Sequence, residues 1–128
     1  MTINQIGEPR AGFYRVRLIR GGIRVAVEIY HGRPMIDGEL QDRSHRWCCV
    51  VDGRTDRPDY DDNGNLLGRV PIDPVLDDVW QYCCGDPISK REYEFLTRRR
   101  IWAKEHDPSH PAADARKPID IRKLRPAW

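Results

Sequence analysis

The side chains most able to do chemistry in this chain are its cysteines, which come as two vicinal pairs, Cys48-Cys49 and Cys83-Cys84. A tetrahedral all-cysteine zinc site requires every sulfur to converge. Neighbouring side chains on a strand point to opposite faces, so Cys48 and Cys49 diverge unless a bulge intervenes. Zinc pairs normally use a C-x-x-C turn, and the chain has none. His106 and His110 have H-x-x-x-H spacing, but Pro108 lies between them and breaks the helix that would align them. The expectation is buried structural thiols, with no metal and no cofactor.

Asp59, Asp61, Asn63 and Gly64 match the opening of a calcium loop, D-x-D-x-[DN]-G. Val70 stands where the closing bidentate acid belongs, so Asp59, Asp61 and Asn63 read first as turn residues and only weakly as calcium ligands. Nucleophilic catalysis has little to build on. There is no G-x-S-x-G elbow, and Ser89 is claimed by a helix cap. Cys49 with His31 or His45 is the one thiol–imidazole pairing the strands could bring together. Gly21-Gly22 sits between two strand-like runs rather than between a strand and a helix, so it is no phosphate loop. No catalytic residue is assigned.

Charge bounds the partners. Twenty-two basic residues face 20 acidic ones in 128 residues, a formal net charge of +2. That balance gives no bulk polyelectrolyte grip on nucleic acid, so any such binding is expected to be weak and local. No apolar run approaches the ~20 residues of a membrane span, and the first ten residues lack the pattern of a signal peptide. The expected location is the bacterial cytoplasm, with the cysteines as thiols.

The elements that must position these groups begin with residues 13–30. A turn at Gly21-Gly22 would pair Leu18 with Val25, Val16 with Val27 and Tyr14 with Ile29 on one apolar face. The other face would pair Arg15 with Glu28, Arg17 with Ala26 and Phe13 with Tyr30. Residues 35–45 read as polar and irregular. Residues 46–51 read as a third strand ended by Asp52-Gly53, with a short fourth strand before Pro58. Asn63-Gly64 marks a minor hairpin or ordered loop. Asp73-Pro74 should open a short helix that Gly85 stops. Ser89 and Glu92 form a capping box for a second helix, ended by Asp107-Pro108. At 100° per residue its Ile88, Phe95, Leu96, Trp102 and Ala103 share an arc, read as the lid of the sheet. A Pro-rich tail follows, with Ile119 and Ile121 alternating in a segment able to dock as a strand.

The expected fold is one α+β domain over 1–128. It has a flexible N-terminus at 1–11, an antiparallel sheet of three or four strands within 13–57, two helices within 74–106 and the tail at 107–128. A curled, SH3-like barrel is a variant of the same reading. On the helix face opposite the lid, Tyr93, Thr97, Arg100 and Lys104 are the expected partner-binding residues, because Tyr and Arg often anchor interfaces. An ordinary solvated helix face is the competing reading. Arg15, Arg17 and Arg24, outward on the hairpin, carry the nucleic-acid alternative.

Gly12-Phe13-Tyr14-Arg15-Val16-Arg17-Leu18, Val79-Trp80, and Pro87-Ile88-Ser89 through Glu92-Tyr93-Glu94-Phe95-Leu96 together resemble a class of short phage and prophage proteins of proteobacteria. Those proteins open on such a hairpin and end on such a helix and a Pro-rich tail. Residues 59–68 are peculiar to this chain. The resemblance implies a non-enzymatic accessory protein that binds a host or phage protein complex, as an anti-CRISPR-like inhibitor of host defence does. The alternatives are a nucleic-acid-binding β-module and, third, a small hydrolase or metal-dependent enzyme.

Overall fold

Val16, Val25, Val27 and Ile29 fall at alternate positions of two runs, and β-branched residues suit a pleated surface buried on one side. In the computed structural model, which describes residues 7–41 and 44–116, those runs are β1 (Gly12–Arg17) and β2 (Arg24–Gly32), paired antiparallel. The chain continues through a small ribbon, β3 (Met35–Ile36) and β4 (Glu39–Leu40), then β5 (Arg46–Val51). A second ribbon follows, β6 (Asp56–Tyr60) with β7 (Leu66–Pro71), then helix α1 (Val79–Cys83). The last elements are β8 (Pro87–Ile88), helix α2 (Lys90–His106) and a 3-10 turn at Pro111–Ala113. Four strands form one antiparallel sheet in the order β5-β2-β1-β8. Among the described residues this sheet is open, with β5 and β8 at its edges, and no barrel closes.

The β1–β2 register differs from the expected one by two residues: Tyr14 faces Val27, Val16 faces Val25 and Arg17 faces Arg24. The turn is wider than Gly21-Gly22 alone. The Gly22 N–H donates to the Ile19 carbonyl at 3.1 Å, with Gly21 at φ 81°. Leu18 and Ile23 thereby leave the ladder and pack against the core. A shift of two keeps every side chain on its expected face, because the side-chain period of a strand is two.

Phe13 and Tyr14 are neighbours on β1 and so point to opposite faces. Tyr14 meets the edge of Trp80 in α1, ring centroids 5.3 Å apart. Phe13 meets Tyr93 in α2 at 4.7 Å. The two helices therefore sandwich the sheet. The inner face, under α1, holds the core: Tyr14, Val16, Val25, Val27, Ile29, Cys49 and Val51, with Trp80 and Cys83 from the helix. Burying a side chain such as Val27 or Ile29 contributes about 1.5–3 kcal/mol each.

Turn chemistry sets the corners. Asp52 and Gly53 both have positive φ, 51° and 80°, as a two-residue hairpin turn of twist-compatible hand demands. Asp37 and Gly38 repeat that pair at 50° and 80°, so residues read as irregular form the β3–β4 ribbon. Asp73 caps as expected, its Oδ1 accepting the backbone N–H groups of Val75 and Leu76 at 2.8 and 2.9 Å. The following residues are turns, however, and α1 begins only at Val79, after Asp78 at φ 59°. Val75 and Leu76 therefore lie before the helix rather than in it, and both are exposed. Ser89 caps α2, its Oγ accepting the Glu92 N–H at 3.1 Å, and Asp107 ends the helix.

Candidate functional site

The vicinal cysteines diverge as the strand geometry requires. Cys49 lies in the inner core near Cys83, while Cys48 points to the outer face, where its thiol donates to the Arg46 and Gly32 carbonyls at 3.4 and 3.5 Å. Burial first, and then Cys83, push the Cys49 thiol well above its ordinary range. Burial and Cys84 push Cys83 up to about 12. Both therefore stay protonated at neutral pH, and nucleophilic attack needs the thiolate. The Cys49 thiol is directed at the Ile72 carbonyl, at 3.8 Å. His31 instead packs edge-on against Trp47 at 5.2 Å and His45 at 6.5 Å, so the structure offers no Cys49–imidazole dyad. Among the described residues, no group of three or more His, Cys, Asp and Glu side chains could hold a metal ion.

The calcium-like segment is the tip of the β6–β7 ribbon. Asp61 Oδ1 accepts the backbone N–H groups of Asn65 and Asn63 at 2.8 and 2.9 Å, and Oδ2 accepts the Asn65 amide at 3.2 Å. These bonds, led by that from the Asn65 backbone, hold the Asp61 carboxyl below its usual range. Asp59 sits 3.9 Å from Arg57, and Asn63 bonds to Asp61 through its own N–H. The strands on either side replace the flanking helices of a helix–loop–helix calcium site.

The arginines of the nucleic-acid alternative do not stand free together. Asp86, which follows α1, pairs with Arg15 at 2.9 Å and Arg24 at 3.4 Å. Of the three, only Arg17 keeps its charge without an ion-pair partner among the described residues.

The helix face chosen for partner binding is largely turned inward. Tyr93 stacks on Phe13, and the Thr97 hydroxyl donates to the Tyr93 carbonyl at 2.9 Å. Arg100 lies over Gly53 and pairs with Asp52 at 3.5 Å, both side chains mostly covered. Lys104 alone of the four is exposed. Conversely, Phe95 and Trp102, expected to be lid residues, are 57% and 50% exposed. Trp102 keeps company with His106 and His110, at 5.8 and 6.1 Å. The cause is local fit: a side chain at position 53 would collide with the Arg100 guanidinium, and glycine leaves it room.

Helix α2 crosses the outer face from Phe13 of β1 past Arg24 of β2 to the Asp52-Gly53 turn, and the far end of β2 and β5, around Tyr30, remains open. An open groove of about 560 Å3 lies there. Tyr30 and Val50 come from the sheet and Met35 and Leu40 from the β3–β4 ribbon, while Glu28, Arg33 and His45 supply the charged and titratable groups. A second depression of about 220 Å3 on α2 is lined by Tyr93, Glu94, Thr97 and Arg98. Burial first, and then Glu28 of the groove, raise the Tyr93 hydroxyl pKa. A mostly apolar concavity with a few polar groups is the usual form of a binding site. Burial, and next Cys48, push the Tyr30 hydroxyl up to about 12, so it acts there as a hydrogen-bonding group rather than a base.

Sequence reasoning missed this groove. The Asp37-Gly38 pair, the same turn signal as Asp52-Gly53, marks one wall of it. No protein-family model, curated protein or solved structure matches the chain.

Proposed function

We propose that the protein is a non-enzymatic binding module that seats an apolar segment of a protein partner in the outer-face groove. The observation that carries this reading is the groove itself: about 560 Å3, with Tyr30, Val50 and Met35 only partly covered and Leu40 exposed, across the sheet from a tightly packed inner core. Leu40 is 56% exposed, an apolar side chain available to a partner. Glu28, Arg33 and His45 around it supply the polar contacts that orient a ligand. The broader role, a phage-type accessory protein acting on a host or phage complex in a bacterial cytoplasm and inhibiting host defence, is supported by the hairpin and helix resemblance alone. The nucleic-acid reading is weakened by Asp86, which neutralises the Arg15–Arg24 pair.

Affinity capture from a bacterial host tests the reading with three baits: the unaltered protein, Leu40→Glu and Leu76→Glu. Leu40 and Leu76 are both exposed, so both variants should fold. A stoichiometric partner retained by the unaltered protein and by Leu76→Glu, but lost from Leu40→Glu, is the expected result. Equal retention by all three places the interface away from the groove.

A further inference from the structure

On the opposite face of the sheet a second concavity has a different chemistry. Residues of β5, the β6–β7 ribbon and α1 enclose a half-open cavity of about 170 Å3. Its floor is Leu18, Val51, Ile72 and Val79, all packed against the core. Its rim carries three guanidinium groups, Arg54, Arg57 and Arg116.

The carboxylates at this rim are already engaged. Asp56, the one charged residue in the described core, is held by Arg69. Asp77 accepts Arg57 Nε and the Asp73 N–H, each at 2.8 Å. Arg57 donates further from Nη1 to the Pro58 carbonyl at 3.1 Å, and among the described residues its Nη2 makes no hydrogen bond. Asp52 and Asp114 stand with Arg54, Lys104 and Arg116 in an adjoining polar niche, and Asp52 pairs with Arg100 at 3.5 Å. Arg54 and Arg116 make no ion pair at contact distance among the described residues, although burial pushes the Asp52 carboxyl up and both lie near enough to oppose that rise, after Arg100 and Lys104. Two guanidinium groups with no carboxylate at contact distance among the described residues, above an apolar floor, attract one anionic group joined to an apolar body. Arginine's planar fork matches a carboxylate in particular. An apolar cavity of roughly 150 Å3 accepts a benzene-sized guest.

The structure assigns this cavity, we infer, as a binding site for a small organic acid, its carboxylate held by Arg54 and Arg116 and its apolar body resting on Leu18, Ile72 and Val79. The inference does not depend on the outer-face groove, which lies across the sheet.

Benzoate, its neutral analogue benzamide and inorganic phosphate are the probes, followed by amide chemical shifts of the full chain. Benzoate should move the Ile72, Val79 and Arg54 signals saturably, with a Kd of about 1 mM. Benzamide, lacking the charge, and phosphate, lacking the apolar body, should each bind at least about tenfold more weakly, a difference of about 1.4 kcal/mol. The Arg54→Gln/Arg116→Gln double variant should keep the melting temperature and lose the preference for benzoate over benzamide. Equal binding of benzoate and benzamide, equal binding of phosphate, shifts confined to other residues, or no saturable shift by about 20 mM benzoate would each overturn the inference.

Discussion

The two faces of one four-stranded sheet are built from alternate residues of the same strands, yet they are put to different uses. On the inner face Val25, Val27, Ile29 and Cys49 are almost wholly covered, and Trp80 and Cys83 of α1 close over them. On the outer face Arg15, Glu28, Tyr30 and Val50 are only partly covered, and α2, which crosses β1 at Phe13, the start of β2 at Arg24 and the turn at Asp52, leaves the Tyr30 end uncovered. The inner face is a packed core whose loss would unfold the chain. The outer face keeps apolar surface that folding alone does not need, and it is there that the proposed partner docks. Stability and the proposed recognition are thus separated by the strand period of two.

The largest test of that separation compares one aromatic from each face. Trp80→Ala should cost about 3–5 kcal/mol, because it empties the inner core. Tyr30→Ala, on the half-open outer face, should cost about 1 kcal/mol. Urea unfolding monitors both, and similar losses would mean that the faces do not differ in this way.

A smaller effect is expected where α2 meets the sheet. Arg100→Glu sets a like charge beside Asp52 and should destabilise by about 2–3 kcal/mol, whereas Arg98→Glu, on the solvent side, should change the melting temperature little. Equal effects would show that the helix is seated in another phase.

The ribbon supplies a pH-dependent test. The hydrogen bond from Arg69 holds the Asp56 carboxyl below its usual range, against the opposing effect of burial. Its contribution to stability is complete above the unfolded value of about 3.9 and is lost as pH falls through the lower folded value. Asp56→Asn should therefore destabilise the protein at about pH 7 and flatten the acid limb of its stability profile. An acid limb as steep as that of the unaltered protein would remove Asp56 from the account.

The smallest effect concerns calcium. Millimolar calcium should leave the melting temperature unchanged, since Asp61 already accepts three hydrogen bonds from its own loop. A saturable rise abolished by Asp61→Ala would contradict this.

Much of the fold was legible because strand faces depend only on parity. Tyr14 and Val27 are inward in the expected pairing and in the observed one, although the register moved by two. The ends of α2 were legible from Ser89 and Asp107, whose signals are local. Its phase was not. Apolar residues lie on two sides of that helix, and the choice between them was made by Phe13 and Gly53, remote in sequence. The groove was hidden for a related reason. It joins β2, β5 and the β3–β4 ribbon, and no single segment carries its signature. Ile119 and Ile121, read as a docking strand, lie outside the described residues.

Amide hydrogen exchange of the protein with and without its captured partner tests the central claim most directly. The account predicts new protection at Tyr30, at 33–40 and at Val50, the segments that line the groove, with no change across 74–83 beneath the inner face. Protection confined to 74–83 or to the β6–β7 ribbon, with the groove segments exchanging as before, would contradict it.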